Sequence, residues 1–469
     1  MNGQSKSSGQ PLVPPKARTE NVTDDYHGHQ ISDPYRWLED SAAAETQQFV
    51  AEENAYTRIV LEKIPGRDEL RNRIERLLTI GRVSAPRIGG DRYFYERRDG
   101  RQNQAVVYVR DGQESDGRAR TGVAGNAPEK DRALIDVNAL AADGTVALDW
   151  WYASRDGKYV AFGTSANGSE LSTLQVIDAG TGVLLPEKIE RTRAASLAWL
   201  PDSSGFYYTR YPRVGDVPAG EEMYNRRVFF HQLSLDHLNP GGNADGGAGG
   251  STDPLIFPAD DQKIEPDQWP DVSLSHDGRW LLVDVSKGWT RTDLYLKDLS
   301  TPMGKFQCIT EGESFLYHAK ILDGQLYITT NEAAPRFRVF KASCAAPERA
   351  NWKEIIAESD AVIEGQAAII GKKLFVHFIR NASSQLSIFD LEGKPVARVA
   401  MPALGSIFDL GGNWNSASAY FGFISYAIPP TVYEVSLNGQ TKEWARVEAG
   451  IDPEKYQTEQ LWFNSKDGT

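Results

Sequence analysis

Short apolar runs follow turns rich in Gly, Asp or Ser at seven places along the chain. They are Asp91-Arg92-Tyr93-Phe94-Tyr95, Asp156-Gly157-Lys158-Tyr159-Val160, Ser204-Gly205-Phe206-Tyr207-Tyr208, Asp277-Gly278-Arg279-Trp280-Leu281, Asp323-Gly324-Gln325-Leu326-Tyr327, Gly371-Lys372-Lys373-Leu374-Phe375 and Ser418-Ala419-Tyr420-Phe421. With Tyr93, Tyr159, Phe206, Trp280, Leu326, Leu374 and Tyr420 as anchors, the steps are 66, 47, 74, 46, 48 and 46 residues. Steps of 46 to 48 suit one four-stranded propeller blade. A second strand pattern follows each anchor: Ala105–Val109, Leu174–Ile177, Val228–Phe230, Leu294–Leu296, Arg338–Phe340, Leu386–Phe389 and Val432–Val435. Val, Ile, Phe and Tyr dominate these runs, as a pleated, half-buried surface favours. Asp-Gly turns are common in any all-β protein, so seven unrelated hairpins are the plainer reading. Two registered strands per unit in seven units favour the repeat. A four-stranded sheet cannot cover both its faces alone, whereas radial stacking makes each blade cover its neighbours.

The pattern predicts a mainly β fold: a seven-bladed β-propeller over 84–441, with inserts at Gly112 to Arg132 in blade one and Asp236 to Pro266 in blade three. The second insert carries a Gly-rich run at 241–250, a flexible surface loop by composition. Ahead of the blades the period changes. Ser41 to Ile64 reads as a helix, with Phe49, Tyr56 and Val60 near one face, and Pro65-Gly66 ends it. Arg67 to Leu78 reads as a second helix, with Leu70, Ile74, Leu77 and Leu78 at helical spacing. Their apolar stripes need cover, from the propeller or from another domain. Residues 1–19 are a polar, Pro-rich tail expected to be disordered, 20–83 a helical arm, and 442–469 a segment that leaves the propeller.

Composition narrows the function. The net charge of −13 argues against a nucleic-acid partner, and no apolar run approaches a membrane span. No secretory signal is visible, which favours the cytoplasm, or the periplasm if a leader lies outside this sequence. A monomer is expected. Cys308 and Cys344 can form one disulfide or remain two buried thiols. His27 and His29 are the one close histidine pair and lack a third ligand in sequence, so no metal and no cofactor is expected. The Asp-Gly turns read as turns with positive φ rather than calcium loops. No glycine-rich phosphate cradle is present.

The run Asp33-Pro34-Tyr35-Arg36-Trp37-Leu38-Glu39 resembles the opening signature of the prolyl oligopeptidase family. Gly144 to Leu148 and Ser154 to Ala161 are similar to that family's first two blades, Asn331 to Arg336 to its fifth, and Tyr456 to Phe463 with Ser465 to Thr469 to its return into the hydrolase domain. The resemblance runs from about residue 20 to Thr469. It implies a serine peptidase cleaving short peptides after proline, in which a propeller gates an α/β-hydrolase domain and the N-terminal arm, Tyr35 and Trp37 included, packs on that hydrolase. A catalytic serine in this class sits in G-x-S-x-G, followed by Asp and His. Gly163-Thr164-Ser165-Ala166-Asn167 and Gly312-Glu313-Ser314-Phe315-Leu316 lack the closing glycine, and no histidine follows His377. No catalytic residue is therefore assigned, and the chain alone is expected to be inactive. Its partners would be a hydrolase domain and, through it, proline-containing peptides.

The family places an aromatic pocket residue shortly after a Glu-Arg pair; here Glu190-Arg191 is followed by Thr192-Arg193-Ala194. Trp289 and Arg291 are the remaining candidates for substrate or interdomain contact, although Trp289 also suits ordinary blade packing. The alternative function is a stand-alone propeller serving as a protein-binding platform. Glu459 to Thr469, read as a strand and turn entering another domain, favours the peptidase.

Overall fold

The computed structural model describes residues 13–112, 131–141, 143–234, 253–259, 262–301, 304–310, 312–450 and 452–469. The chain divides into two compact units, 1–78 and 79–469.

In the first unit, Val22–Tyr26 and His29–Asp33 form an antiparallel hairpin. His27 and Gly28 make its turn with φ of 57° and 86°. A 3-10 turn, Arg36–Glu39, follows. Helix α1 spans Ala44–Glu62 and α2 spans Arg67–Leu78. The expected helices are both present, with α1 three residues shorter at its start. Gly66, at φ 78°, separates them. The Asp33 to Glu39 signature organises the arm itself. Asp33 accepts from the Tyr35 backbone at 2.9 Å and from Arg36 Nε at 2.8 Å, and Arg36 also pairs with Asp24. Trp37 donates its indole N–H to the Arg18 carbonyl at 2.8 Å and meets Phe49 edge-on at 5.6 Å.

In the second unit the described residues form seven antiparallel sheets, each built from consecutive strands. All seven anchors lie on the second strand of a blade: Arg92–Arg98, Tyr159–Ala166, Gly205–Arg210, Trp280–Lys287, Gln325–Thr330, Lys373–Arg380 and Ser418–Ile424. The second set of predicted strands forms the third strand of each blade. The strands run from Arg82–Val83 to Thr441–Arg446, slightly beyond the expected limits at both ends. Gly144–Leu148 and Ser154–Ala161 both fall in the first hairpin of blade two rather than in two blades. The blade-three insert is shorter than expected, because Leu255–Phe257 within it pairs with Arg227–Gln232 as the fourth strand. Most of both inserts, with the Gly-rich run and the start of the tail, lies outside the described residues.

Core formation follows the blade count. Seven hydrophobic clusters each join two adjacent blades. In one, Trp280, Leu282 and Leu296 of blade four meet Tyr317, Ile328 and Phe340 of blade five. In the seam that closes the ring, Tyr95, Val106 and Tyr108 of blade one meet Tyr420, Val432 and Trp444 of blade seven. No strand pairing crosses that seam in the described sheets; side-chain packing makes it, with the Ala85 backbone of blade one bonded to the Asp409 carboxylate of blade seven. No disulfide joins the cysteines: Cys344 is buried and Cys308 half-buried. Burial pushes the Cys344 thiol up to about 12. Residues 456–464 form no strand; Leu461, Trp462 and Phe463 stay exposed. That corrects the strand expected there, since an isolated apolar run gains nothing from extension without a paired edge.

Candidate functional site

The first strand of each blade lies nearest the axis, because its turns reach blades that are not neighbours. From blade two, Arg155 donates to the Leu274 and His276 carbonyls of blade four at 2.9 and 2.6 Å. His276 packs against Trp414 of blade seven, with ring centres 4.5 Å apart, and its Nε2 lies 3.3 Å from Asp323 Oδ1 of blade five. The Lys372 amide of blade six donates to the Trp414 carbonyl at 2.9 Å, and the Gly90 amide of blade one to the Arg155 carbonyl at 2.7 Å. Ser203 of blade three donates to Asp156 at 2.8 Å. The turns between first and second strands of all seven blades are thus tied together at one end of the axis. Gly157, at φ 71°, permits this: a Cβ there would lie 2.2 Å from the Gly89 carbonyl oxygen. Burial lowers the affinity of the Arg155 guanidinium for its proton.

Further along the axis the wall is polar. Asp271 and Asp284 face each other across two strands of blade four. Asp284 keeps some surface as a residue, but its Oδ1 is enclosed and has no hydrogen-bond partner among the described residues. That enclosure pushes its carboxyl up to about 7, against a downward pull from Lys320. Burial holds His318 below its ordinary value, and Lys320 adds to this. At the blade three–four boundary Arg226 is 1% exposed. It stacks 4.4 Å over Trp269 and pairs with Asp271 at 3.0 Å.

Trp289 takes no part in blade packing, the role its sequence context also suited. It is 94% exposed on the hairpin tip between Trp280–Lys287 and Arg291–Asp298. Arg291 opens the third strand of blade four and pairs with Asp293 at 2.6 Å. The hydrophobic pattern missed this because an aromatic at a tight turn and one inside a strand look alike in sequence; Gly288 at φ 57° was the available cue. The tied turns, with Arg155, His276 and Trp414, were missed entirely.

Among the described residues, the nearest approach to a nucleophile–base pair is Ser384 Oγ and His377 Nε2 at 2.8 Å in blade six. Ser384 is buried, and its oxygen also accepts from the Ile407 amide at 2.9 Å. This is a structural tie without substrate access. His231 pairs with Asp253 at 3.0 Å, and Asp253 also accepts from the Tyr208 hydroxyl at 2.8 Å, which leaves that pair structural too.

These features define a seven-bladed propeller whose first-to-second-strand turns are tied to one another at one end of a polar axis. A family model described as the prolyl oligopeptidase N-terminal β-propeller domain matches residues 14–448, and the chain belongs to that family. It is similar to the prolyl endopeptidase of Elizabethkingia meningoseptica, at 29% identity over 97% of this chain and 60% of the relative. It is also similar to prolyl oligopeptidase A of Galerina marginata, at 26% identity over 98% of this chain and 63% of the relative. Among solved structures, a prolyl endopeptidase studied for inter-domain dynamics in catalysis and specificity superposes with a TM-score of 0.83 at 33% identity, over 97% of this chain and 63% of that one. Prolyl oligopeptidase B of Galerina marginata bound to a 35mer substrate shares the fold, with a TM-score of 0.81 at 20% identity. The chain thus spans about 60% of the length of these relatives.

Proposed function

We propose that the chain is the substrate-gating propeller and N-terminal arm of a prolyl oligopeptidase, acting with an α/β-hydrolase domain on short proline-containing peptides. The observation that carries this is the match over 97% of the chain to a prolyl endopeptidase of the same architecture. The turns tied together at one end of the axis support it, because they leave the opposite end, where Trp289 lies exposed, as the side that meets a partner. On this reading the propeller excludes large substrates, and Trp289 and Arg291 belong to the face that meets peptide or hydrolase.

The test uses this chain, a separately made prolyl oligopeptidase hydrolase domain, and the two together. The substrates are a chromogenic Gly-Pro peptide and a long proline-containing polypeptide. The expected outcome is no turnover by the chain alone, and turnover of the short substrate but not the long one by the pair. In the pair, Trp289→Ala lowers kcat/KM. Turnover by the chain alone that a serine-directed inhibitor blocks would overturn the reading, as would a pair that behaves like the hydrolase domain by itself.

A further inference from the structure

A cleft of about 360 Å³ opens on the propeller between blades one and two, at the opposite end of their strands from the tied turns. Its wall includes Arg82, Glu96, Asn103, Gln104, Asp149 and Trp150. The two carboxylates are already engaged. Glu96 accepts the Trp151 indole N–H at 2.8 Å. Asp149 accepts from Ser165 at 3.0 Å and Ser172 at 2.6 Å. Asp149 is the extra residue of a β-bulge between Leu148 and Trp150, a device that re-aims a side chain out of strand alternation. The bulge turns the carboxylate onto the serines and leaves the Trp150 ring on the cleft wall, its N–H given to the Thr192 carbonyl at 2.9 Å.

Of the remaining polar groups on the wall, Arg98 is engaged as well, whereas the side chains of Arg82, Asn103 and Gln104 make no hydrogen bond among the described residues. Arg82 is exposed, and among the described residues its guanidinium has neither an ion pair nor a hydrogen bond. An acid whose field it shares is Asp409 of blade seven, whose carboxyl burial raises while Arg82 and Arg87 pull it back down. The side-chain amides of Asn103 and Gln104 likewise have no hydrogen-bond partner among the described residues; Gln104 is held to Asn138 through its backbone only. The cleft thus offers the Arg82 guanidinium, two amides and an indole edge in a single recess, with a second arginine, Arg98, on the same wall. A guanidinium fork matches a carboxylate, primary amides match a peptide group, and the indole gives apolar contact area.

We propose that this cleft is a subsite for a carboxylate on a bound peptide, held by Arg82, with the adjoining peptide group on Asn103 and Gln104. The inference rests on the reading that the propeller handles peptides. The carboxylate is either a chain terminus or an acidic side chain.

The test is a tryptophan-fluorescence titration of this chain with three probes: acetyl-Ala-Pro-Gly-Ala with a free C-terminus, the same peptide amidated, and an amidated version with Glu at the last position. The free acid is expected to bind about tenfold more tightly than the amide, the ratio a charge-assisted pair supports. Arg82→Gln should erase that difference without shifting Tm, because Arg82 is exposed, and Arg82→Lys should keep part of it. Recovery of affinity by the Glu peptide assigns the site to side chains as well as termini. Equal binding of acid and amide, no binding of any probe, or a ratio unchanged by Arg82→Gln overturns the subsite. The two-component turnover assay is unaffected by any of these results, so failure of the subsite and failure of the larger reading are separable.

Discussion

Asp284 shows how enclosure sets the chemistry of a single residue. Its carboxyl has an ordinary value of 3.8 and sits at about 7 in the folded chain, because its Oδ1 is enclosed without a partner. Lys320 pulls it down and Asp271, across the strand pair, pushes it up. A carboxyl raised in the fold binds its proton more tightly folded than unfolded. Its contribution is therefore fully present below about 4 and is lost as pH rises through about 7. Nearby, His318 is depressed by burial and runs the other way, losing stability as pH falls, so the raw pH profile mixes the two. Asp284→Asn isolates the carboxyl. The expected result is a variant whose Tm drops less than that of the unmodified chain between pH 4 and 8, and which is more stable at pH 8 by at least about 1 kcal/mol, since a tenfold change in proton affinity is worth about 1.4 kcal/mol. Parallel Tm profiles would show that Asp284 is solvated.

At the scale of elements, the arm and the blades differ in how they are covered. Helix α2 buries no residue and α1 buries only Thr46; Leu70 and Leu78 are 59% and 61% exposed. Apolar burial is worth about 25 cal/mol per Å², and these helices collect little of it, whereas every blade is covered on both faces. Limited proteolysis is expected to cut within 13–78 well before it cuts the blade strands. A prolyl oligopeptidase hydrolase domain, if it covers these stripes, should slow that first cut. An arm as resistant as the blades would contradict this reading. The same contrast explains what was legible. Each second strand follows a tight turn and runs apolar, as in Trp280-Leu281-Leu282-Val283, so its pattern is local and readable. The arm hairpin escaped because Val22–Tyr26 and His29–Asp33 alternate no apolar face, though His27-Gly28 offered a turn signal. The axial site escaped for a different reason. Arg155 and His276 are 121 residues apart, and only ring closure brings them together.

For the whole molecule, ring closure is the step that all of this depends on. The seven sheets consist of consecutive strands, so no hydrogen-bonded strand pair locks blade seven to blade one. The seam relies on aromatic packing: Trp444 meets Tyr95 edge-on at 5.3 Å, and Tyr420 meets Tyr93 edge-on at 5.9 Å. Arg110 adds to it, lying 5.0 Å from the Trp444 ring while pairing at 2.6 Å with Asp131, whose side chain is fully buried. The other six seams also use side chains, but a covalent connection runs through each of them from one blade to the next. Loss of the first–last seam is therefore the cheapest way to open the ring, and repeat architectures lose stability interface by interface. Trp444→Ala should cost about 3–5 kcal/mol, as buried Trp truncations do, and the loss should be local. By hydrogen exchange, amides of Arg92–Arg98, Val106–Asp111 and Thr441–Arg446 should exchange faster, while Trp280–Lys287 of blade four keeps its protection. Trp352→Ala, which removes a comparably buried indole at the blade four–five seam, serves as the control and should leave blades one and seven protected. Uniform loss of protection in Trp444→Ala would mean that the ring unfolds as one unit and that the closing seam is no weaker than the rest.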